Sequence, residues 1–291
     1  MKILKPSAGF LGLPKENKSK NIVHIIPFGL EKTVSYSSGT KNGPKKIIKA
    51  SHQVELFDEE LKLEPYKKFN IKTLQETKIP KKLNDALNLL SDTVSKSLTA
   101  NAFPLILGGE HSITPAIVKS ISKKTKSLTV VQIDAHADLR NGYMGIKNSH
   151  AAAMRRCLDN KNVKLVSFGI RNLCKEEFNY FKKNKSKINI FWANEMSKWK
   201  MSKLKKLIKN KNVYLTFDLD GFDSSLMPAT GTPEPGGLFW KDAVKILKNV
   251  FRYSNVIGAD INELAPNPSL HACDFLAAKL AYKILAYKFS S

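Results

Sequence analysis

Leu128-Thr129-Val130-Val131-Gln132-Ile133-Asp134-Ala135-His136-Ala137-Asp138 is the stretch on which the reading of this chain turns. Its first six residues have the length and β-branched composition of a buried strand. The charged cluster Asp134, His136, Asp138 starts where that strand ends. The same arrangement recurs in Val213-Tyr214-Leu215-Thr216-Phe217, which runs into Asp218-Leu219-Asp220. Open α/β sheets take their ligands at the carboxyl ends of parallel strands. An extended segment aims residues i, i+2 and i+4 the same way, so residues 134, 136 and 138 are expected to share one face. Three such groups at a buried strand end are tolerable only beside a partner of opposite charge. Divalent cations are the natural partner. Gly108-Gly109-Glu110-His111-Ser112 follows a third apolar run and adds His111 to the candidate ligands.

Working outward, apolar runs alternate with helical spacing along most of the chain. Strands are expected at 21–28, 104–107, 128–133, 163–168, 188–192, 213–217 and 255–261. Helices are expected at 43–50, 81–98, 150–158, 175–183, 198–210, 240–251 and 274–288, with another opening at Ser112 as its cap. Alternating βα units predict a three-layer αβα fold around a mostly parallel sheet of about eight strands. No linker or repeat interrupts residues 1–291, so one domain is expected, with residues 1–20 an irregular segment.

Lys and Arg number 48 against 25 Asp and Glu, a formal net charge of +23. The lysines are scattered through helices and loops without an Arg-rich or aromatic-interleaved patch, so no nucleic-acid partner is expected. No apolar run approaches the ~20 residues needed to cross a bilayer. Three cysteines, Cys157, Cys174 and Cys273, show no paired spacing, and the N-terminus lacks a secretory h-region. A cytoplasmic location is the expectation.

Oxygen-rich donors with two imidazoles and no thiolate favour Mn²⁺ or a similar hard ion over structural zinc. Four carboxylates balance two divalent cations. Such ions roughly 3.5–4 Å apart can acidify one bridging water into a nucleophile at neutral pH.

The ordered motifs Gly-Gly-Glu-His-Ser (108–112), Asp-Ala-His-Ala-Asp (134–138), Ser-His (149–150), Thr-Phe-Asp-Leu-Asp-Gly-Phe-Asp (216–223), Gly-Thr-Pro-Glu-Pro-Gly-Gly (231–237) and Asp-Ile-Asn-Glu-Leu-Ala-Pro (260–266) carry a resemblance. Together they resemble the ureohydrolases, the arginase/agmatinase/formiminoglutamase family of binuclear manganese enzymes. The likeness runs from about residue 10 to the C-terminus. Phe10-Leu11-Gly12-Leu13-Pro14, with Thr33-Val34-Ser35-Tyr36 and Gly43-Pro44, looks like the agmatinase branch.

The resemblance implies an arginase-like fold and two Mn²⁺ per chain. His111, Asp134, Asp138 and Asp218 would hold one ion, and His136, Asp134, Asp218 and Asp220 the other. It implies that His150 shuttles a proton to the leaving amine, that Glu263 grips the substrate guanidinium, and that Thr232 lines the site. The implied reaction is attack of the metal-bridging hydroxide on the guanidinium carbon of a small cationic substrate, agmatine first, giving putrescine and urea. Formiminoglutamase, guanidinobutyrase and arginase activity stand as alternatives on the same site. A non-catalytic, metal-stabilised binding protein is the alternative of a different class, though no ligand is missing. Trimers or hexamers are the implied assembly. His24, His52 and His271 lie outside these motifs and are expected to be structural.

Three positions depart from the family pattern. Glu110 stands where many relatives carry Asp and is expected to matter little. Ser224 replaces a usual proline and is expected to loosen a turn. Ala151 replaces a glycine after the loop histidine, which bears on the pocket wall.

Overall fold

The computed structural model describes residues 1–290 of the chain. Eight strands form one all-parallel sheet: β1 (Ile22–Phe28), β2 (Asn70–Thr73), β3 (Phe103–Gly108), β4 (Leu128–Ile133), β5 (Val163–Ile170), β6 (Ile188–Trp192), β7 (Asn212–Asp218) and β8 (Asn255–Asn262). Their order is β2-β1-β3-β8-β7-β4-β5-β6. β3 and β4 are buried at every residue, which explains their near-continuous apolar sequence: a parallel sheet is covered on both faces.

The helices are α1 (Gly43–Ser51), α2 (Leu83–Thr99), α3 (Thr114–Ser122), α4 (Ala153–Cys157), α5 (Lys175–Lys183), α6 (Met201–Ile208), α7 (Trp240–Tyr253) and α8 (His271–Ser290). Two apolar cores separate them into layers. Val131 and Ile133 of β4 face a core shared with α1, α6, α7 and α8, through Ile47, Leu204, Ile246 and Leu285 among others. Leu128 and Val130 point the other way, to Leu90 of α2, Ile117 of α3 and Met154 of α4, with Phe181 of α5 packed on the rim. Alternation at period two thus sorts one strand's side chains between two helical layers. The predicted αβα class holds.

The differences are local. Seven strands are visible in the sequence, and the eighth is β2, an edge strand of four residues that is only partly buried and carries Lys72. The stretch 1–20 is irregular but anchored: Phe10 N–H donates to Thr73 Oγ1 at 2.9 Å and Leu11 N–H to Ser51 Oγ at 2.8 Å. Ser112 does not cap α3; it lies in a 3-10 turn, and its hydroxyl donates to Glu110 instead. No described helix is long and apolar enough to cross a membrane.

From β3 the chain passes to β4 across a gap that β8 and β7 later fill. The carboxyl ends of β3, β8, β7 and β4 therefore stand side by side at the centre of the sheet. That reversal of strand order is where α/β sheets open a crevice.

Candidate metal centre

The ends of β3, β4 and β7 deliver one cluster, and the end of β8 sets Glu263 beside it. The turn after β3 needs a close backbone approach: a Cβ on Gly109 would lie 2.1 Å from Leu30 O, and Glu110 N–H donates to that oxygen at 2.8 Å. This turn sets His111 beside the ends of β4 and β7. His111 Nδ1 lies 3.1 Å from Asp134 Oδ2, 3.1 Å from Asp138 Oδ2 and 3.2 Å from Asp218 Oδ2. His136 Nδ1 lies 2.9 Å from Asp220 Oδ2 and 3.7 Å from Asp134 Oδ1. Two donor groups result, His111–Asp134–Asp218 and Asp134–His136–Asp220, sharing Asp134.

The segment after β4 is not the extended run expected from its alternation. His136 N–H donates to Asp134 Oδ1 at 2.6 Å, and Asp138 takes a left-handed φ of 51°. The chain turns, and this brings Asp134 and Asp138 both to His111 while His136 meets Asp220. Other carboxylate oxygens are held by backbone donors: Asp218 Oδ1 accepts from Asp220 N–H at 3.0 Å and Asp220 Oδ1 from Ala135 N–H at 3.1 Å. Gln132 Nε2 donates to Asp134 Oδ2 at 2.8 Å, and its own Oε1 accepts from Ser167 at 2.6 Å.

The donor set fits divalent cations. His111 Nδ1 is buried and has no hydrogen-bond partner, although three carboxylate oxygens surround it. Its other nitrogen, Nε2, is 2.8 Å from Thr216 Oγ1. A donor N–H there would leave the Nδ1 lone pair for the cluster, the usual way a neighbouring hydrogen bond orients a histidine ligand. A lone pair and carboxylate oxygens that converge in this way could coordinate a cation. Only oxygen and imidazole nitrogen are present, which suits a hard ion.

Electrostatics point the same way. Burial alone would lower both imidazoles, yet Asp134, Asp138 and Asp218 raise His111 well above its ordinary value, and Asp220 with Asp134 pushes His136 up to about 12. Burial and the charge on Asp134 raise Asp138 to about 7; burial, Asp220 and Asp134 raise Asp218 well above the usual range. Asp134, despite its burial, is held low by the two imidazoles. This much concentrated negative charge binds positive charge in some form, and protons compete with cations for it.

A cavity of about 170 Å³ opens onto the cluster and is lined by His111, His136, Asp138, Asp218 and Asp220 together with His150, Thr232 and Glu263. All sequence-predicted site residues except the buried Asp134 thus line it, and Asp134 lies directly behind. Glu263 takes a φ of 67° just past β8, and its Oε1 accepts from His111 N–H at 2.7 Å. Burial raises its carboxyl to about 8, against that hydrogen bond and with the charge on Glu110 adding to the rise. Thr232 belongs to the loop 221–238, which Arg171 anchors by donating to the carbonyls of Asp220, Phe222 and Glu234. Asp223 Oδ2 accepts from Gly236 N–H and Gly237 N–H, and Oδ1 accepts from Ser225, so the turn around Ser224 is held by its neighbour. Ala151 lies in the cavity wall. His24 and His52 are bonded elsewhere, to Ser97 and to Gly9 O, and His271 does not line the cavity.

Sequence reasoning missed the supports: Gln132, Thr216, Arg171, Thr33 and Glu110. Glu110 is fully buried and accepts from Lys32 N–H, Thr33 N–H, Thr33 Oγ1 and Ser112 Oγ. It is far from idle.

Comparisons with known proteins converge on one family. A family model described as the arginase family matches residues 21–286. An N(1)-aminopropylagmatine ureohydrolase of Synechocystis sp. is 36% identical over 274 residues, covering 91% of this chain and 88% of the relative. An agmatinase of Bacillus cereus is 34% identical over 264 residues, covering 87% and 86%. Among solved structures, the agmatine ureohydrolase of Thermoplasma volcanium superposes with a TM-score of 0.83 at 28% identity, covering all of this chain and 95% of that one.

Proposed function

The chain belongs to the arginase family, and from that premise we propose that it hydrolyses the guanidino group of a small cationic amine to urea, with agmatine as the first substrate and two Mn²⁺ per chain. The observation that carries the reading is the convergence of two donor groups on a shared Asp134, just behind the wall of a cavity that Glu263 and His150 also line. His111, Asp134, Asp138 and Asp218 would hold one ion; His136, Asp134, Asp218 and Asp220 would hold the other. When bound there, the ions would supply Lewis acidity and a nucleophilic water at neutral pH.

The remaining work falls to the chain's own residues. The Glu263 carboxylate faces a planar cation that it can hold through paired N–H···O bonds. An arriving guanidinium favours its ionised form. Thr232 closes the cavity on the loop side. Collapse of the tetrahedral centre expels an amine that must be protonated. His150 serves this step, taking a proton from solvent and giving it to the amine nitrogen. Its imidazole is held below its ordinary value by burial, against the pull of Glu110. A neutral resting ring suits a carrier that picks up and releases one proton per turnover.

The far part of the cavity bears on the tail of the substrate. Its one cationic side chain, Arg140, has Nε 3.8 Å from Glu177 Oε2 and stands over the Tyr143 ring. An already neutralised arginine is a poor partner for the α-carboxylate of arginine or formiminoglutamate. An uncharged or cationic tail fits better. N1-aminopropylagmatine, named for the Synechocystis relative, is accordingly the second substrate considered. We propose further that the chain acts as a single cytoplasmic domain and assembles as trimers or hexamers.

Urea release from agmatine, N1-aminopropylagmatine, guanidinobutyrate and arginine, and formamide release from formiminoglutamate, measured with added Mn²⁺, test the proposal. Turnover is expected with agmatine, its aminopropyl derivative or both. Turnover of formiminoglutamate or arginine alone would overturn the substrate assignment, and no turnover across the panel would overturn the enzymatic reading.

A further inference from the structure

We propose that Thr33 and Glu110 are positioning residues that hold His150 in one tautomer, with Nδ1 protonated and Nε2 left as the proton-transferring atom. The inference rests on the reading of His150 as the proton donor to the leaving amine. It starts from the bonds of a single hydroxyl.

Thr33 Oγ1 is 3.0 Å from Glu110 Oε1, 3.0 Å from His150 N and 3.1 Å from His150 Nδ1. A hydroxyl has one proton to give and two lone pairs to receive. The backbone N–H of His150 can only donate, so it takes one lone pair. Glu110 is ringed by donors: Lys32 N–H at 2.6 Å and Thr33 N–H at 2.7 Å on Oε2, and Ser112 Oγ at 2.5 Å on Oε1. The Thr33 proton therefore goes to the carboxylate. The one remaining lone pair faces His150 Nδ1, which must then carry a hydrogen to bond it. That fixes the tautomer and leaves the Nε2 lone pair free. Among the described residues, no protein group hydrogen-bonds Nε2.

Two further features make this an orienting device. A single bond to the His150 backbone would suffice to pin the loop; the second bond, to the ring, acts only on its angle and protonation. The Tyr143 ring stands edge-on to the imidazole, 5.9 Å between centroids, and adds an aromatic contact to the same ring. Thr33 is 117 residues from His150 in sequence, so the clamp is made by the fold. Glu110 is absent from the cavity lining, and its hydrogen-bond link to the His150 ring runs through Thr33.

The test is a double-mutant cycle on the full-length, Mn²⁺-loaded protein, read as kcat and KM for urea release from agmatine or N1-aminopropylagmatine, whichever is turned over faster. Thr33→Val keeps the shape and removes the hydroxyl. It should lower kcat on the order of 10-fold, part of the ~10²–10⁴-fold typical of a positioned acid or base, with KM within about twofold and metal content near two. Thr33→Ser restores the hydroxyl and should bring kcat back to within about threefold. His150→Ala should lose more, and adding Thr33→Val to it should cost nothing further, because residues acting through one another are not additive. Full activity in Thr33→Val beside a slow His150→Ala would overturn the clamp, as would losses that multiply in the double variant. Full activity in His150→Ala would overturn the reading beneath it. If the valine variant misfolds, Thr33→Ala enters the same cycle with the same expectations.

Discussion

Asp134 is the residue on which both donor groups depend, its Oδ2 turned to His111 and its Oδ1 toward His136. Asp134→Ala should therefore lose both ions. Asp218→Ala should do the same if that carboxylate bridges as the family pattern implies, whereas Asp220→Ala should mainly deplete the ion beside His136. Metal analysis of the purified variants reads the outcome, and two retained ions in all three would break the assignment. The candidate donor cluster was legible in the sequence because Asp and His directly after apolar strands are costly without a partner. Their supports were not. Thr216 lies within a strand as an ordinary β-branched residue, Gln132 as an ordinary polar one, and Thr33 meets Glu110 because β1 runs beside β3, with His150 arriving from the loop after β4. Nothing local in a threonine announces a hydrogen bond across the fold. Glu110 shows the same limit: one methylene longer than the Asp usual there, it was expected to matter little, and it collects four donors.

At the scale of elements, α8 shows how a helix can be buried while carrying charge. Most of its residues from Ala277 to Tyr287 are buried, and Lys283 among them is 2% exposed. Its ammonium is 2.9 and 2.8 Å from the two oxygens of Asp58, itself 2% exposed, and 3.1 Å from Glu60 Oε2. Breaking a buried pair from one side typically costs ~3–5 kcal/mol, because the other charge is left uncompensated. Asp58→Ala should fall near the lower end, since Glu60 remains, and should shift the urea midpoint without changing kcat. A midpoint unchanged within error would show that the pair contributes nothing. The same contrast governs which elements could be read from sequence. β3, β4 and β7 are buried on both faces, so their apolar runs stand out. β2 is a short edge strand with three of its four residues only partly buried, and its Asn-Ile-Lys-Thr sequence carries no such run. α8 begins at His271, three residues before the expected start, because its first turn is partly exposed and lacks the apolar spacing that marks the rest.

For the whole molecule, the candidate metal centre draws its donors from three central strand ends, those of β3, β4 and β7, so ion binding there would link to global stability. A ligand that binds only the folded state, held ~100-fold above its Kd, adds ~2.7 kcal/mol per site. For a chain of this size each kcal/mol moves Tm by roughly 2–4 °C. Chelation of two ions should therefore lower Tm on the order of 10 °C, and Asp220→Ala should show about half that response. The response should also depend on pH, in a direction set by the two imidazoles. In the metal-free cluster His111 and His136 are raised above their ordinary values. A raised histidine contributes stability that is fully present below its unfolded pKa of ~6.5 and is lost as pH rises toward the folded value. The chelated protein should thus lose this support above neutrality. The metal-bound protein behaves oppositely, since its ligands must be deprotonated and lower pH makes protons compete with the ions. The two Tm values should draw together near pH 6 and separate by pH 8.5, with excess Mn²⁺ in one series and chelator in the other. A gap that is constant across that range, or that widens toward acid, would mean that the imidazoles do not exchange protons for metal as proposed.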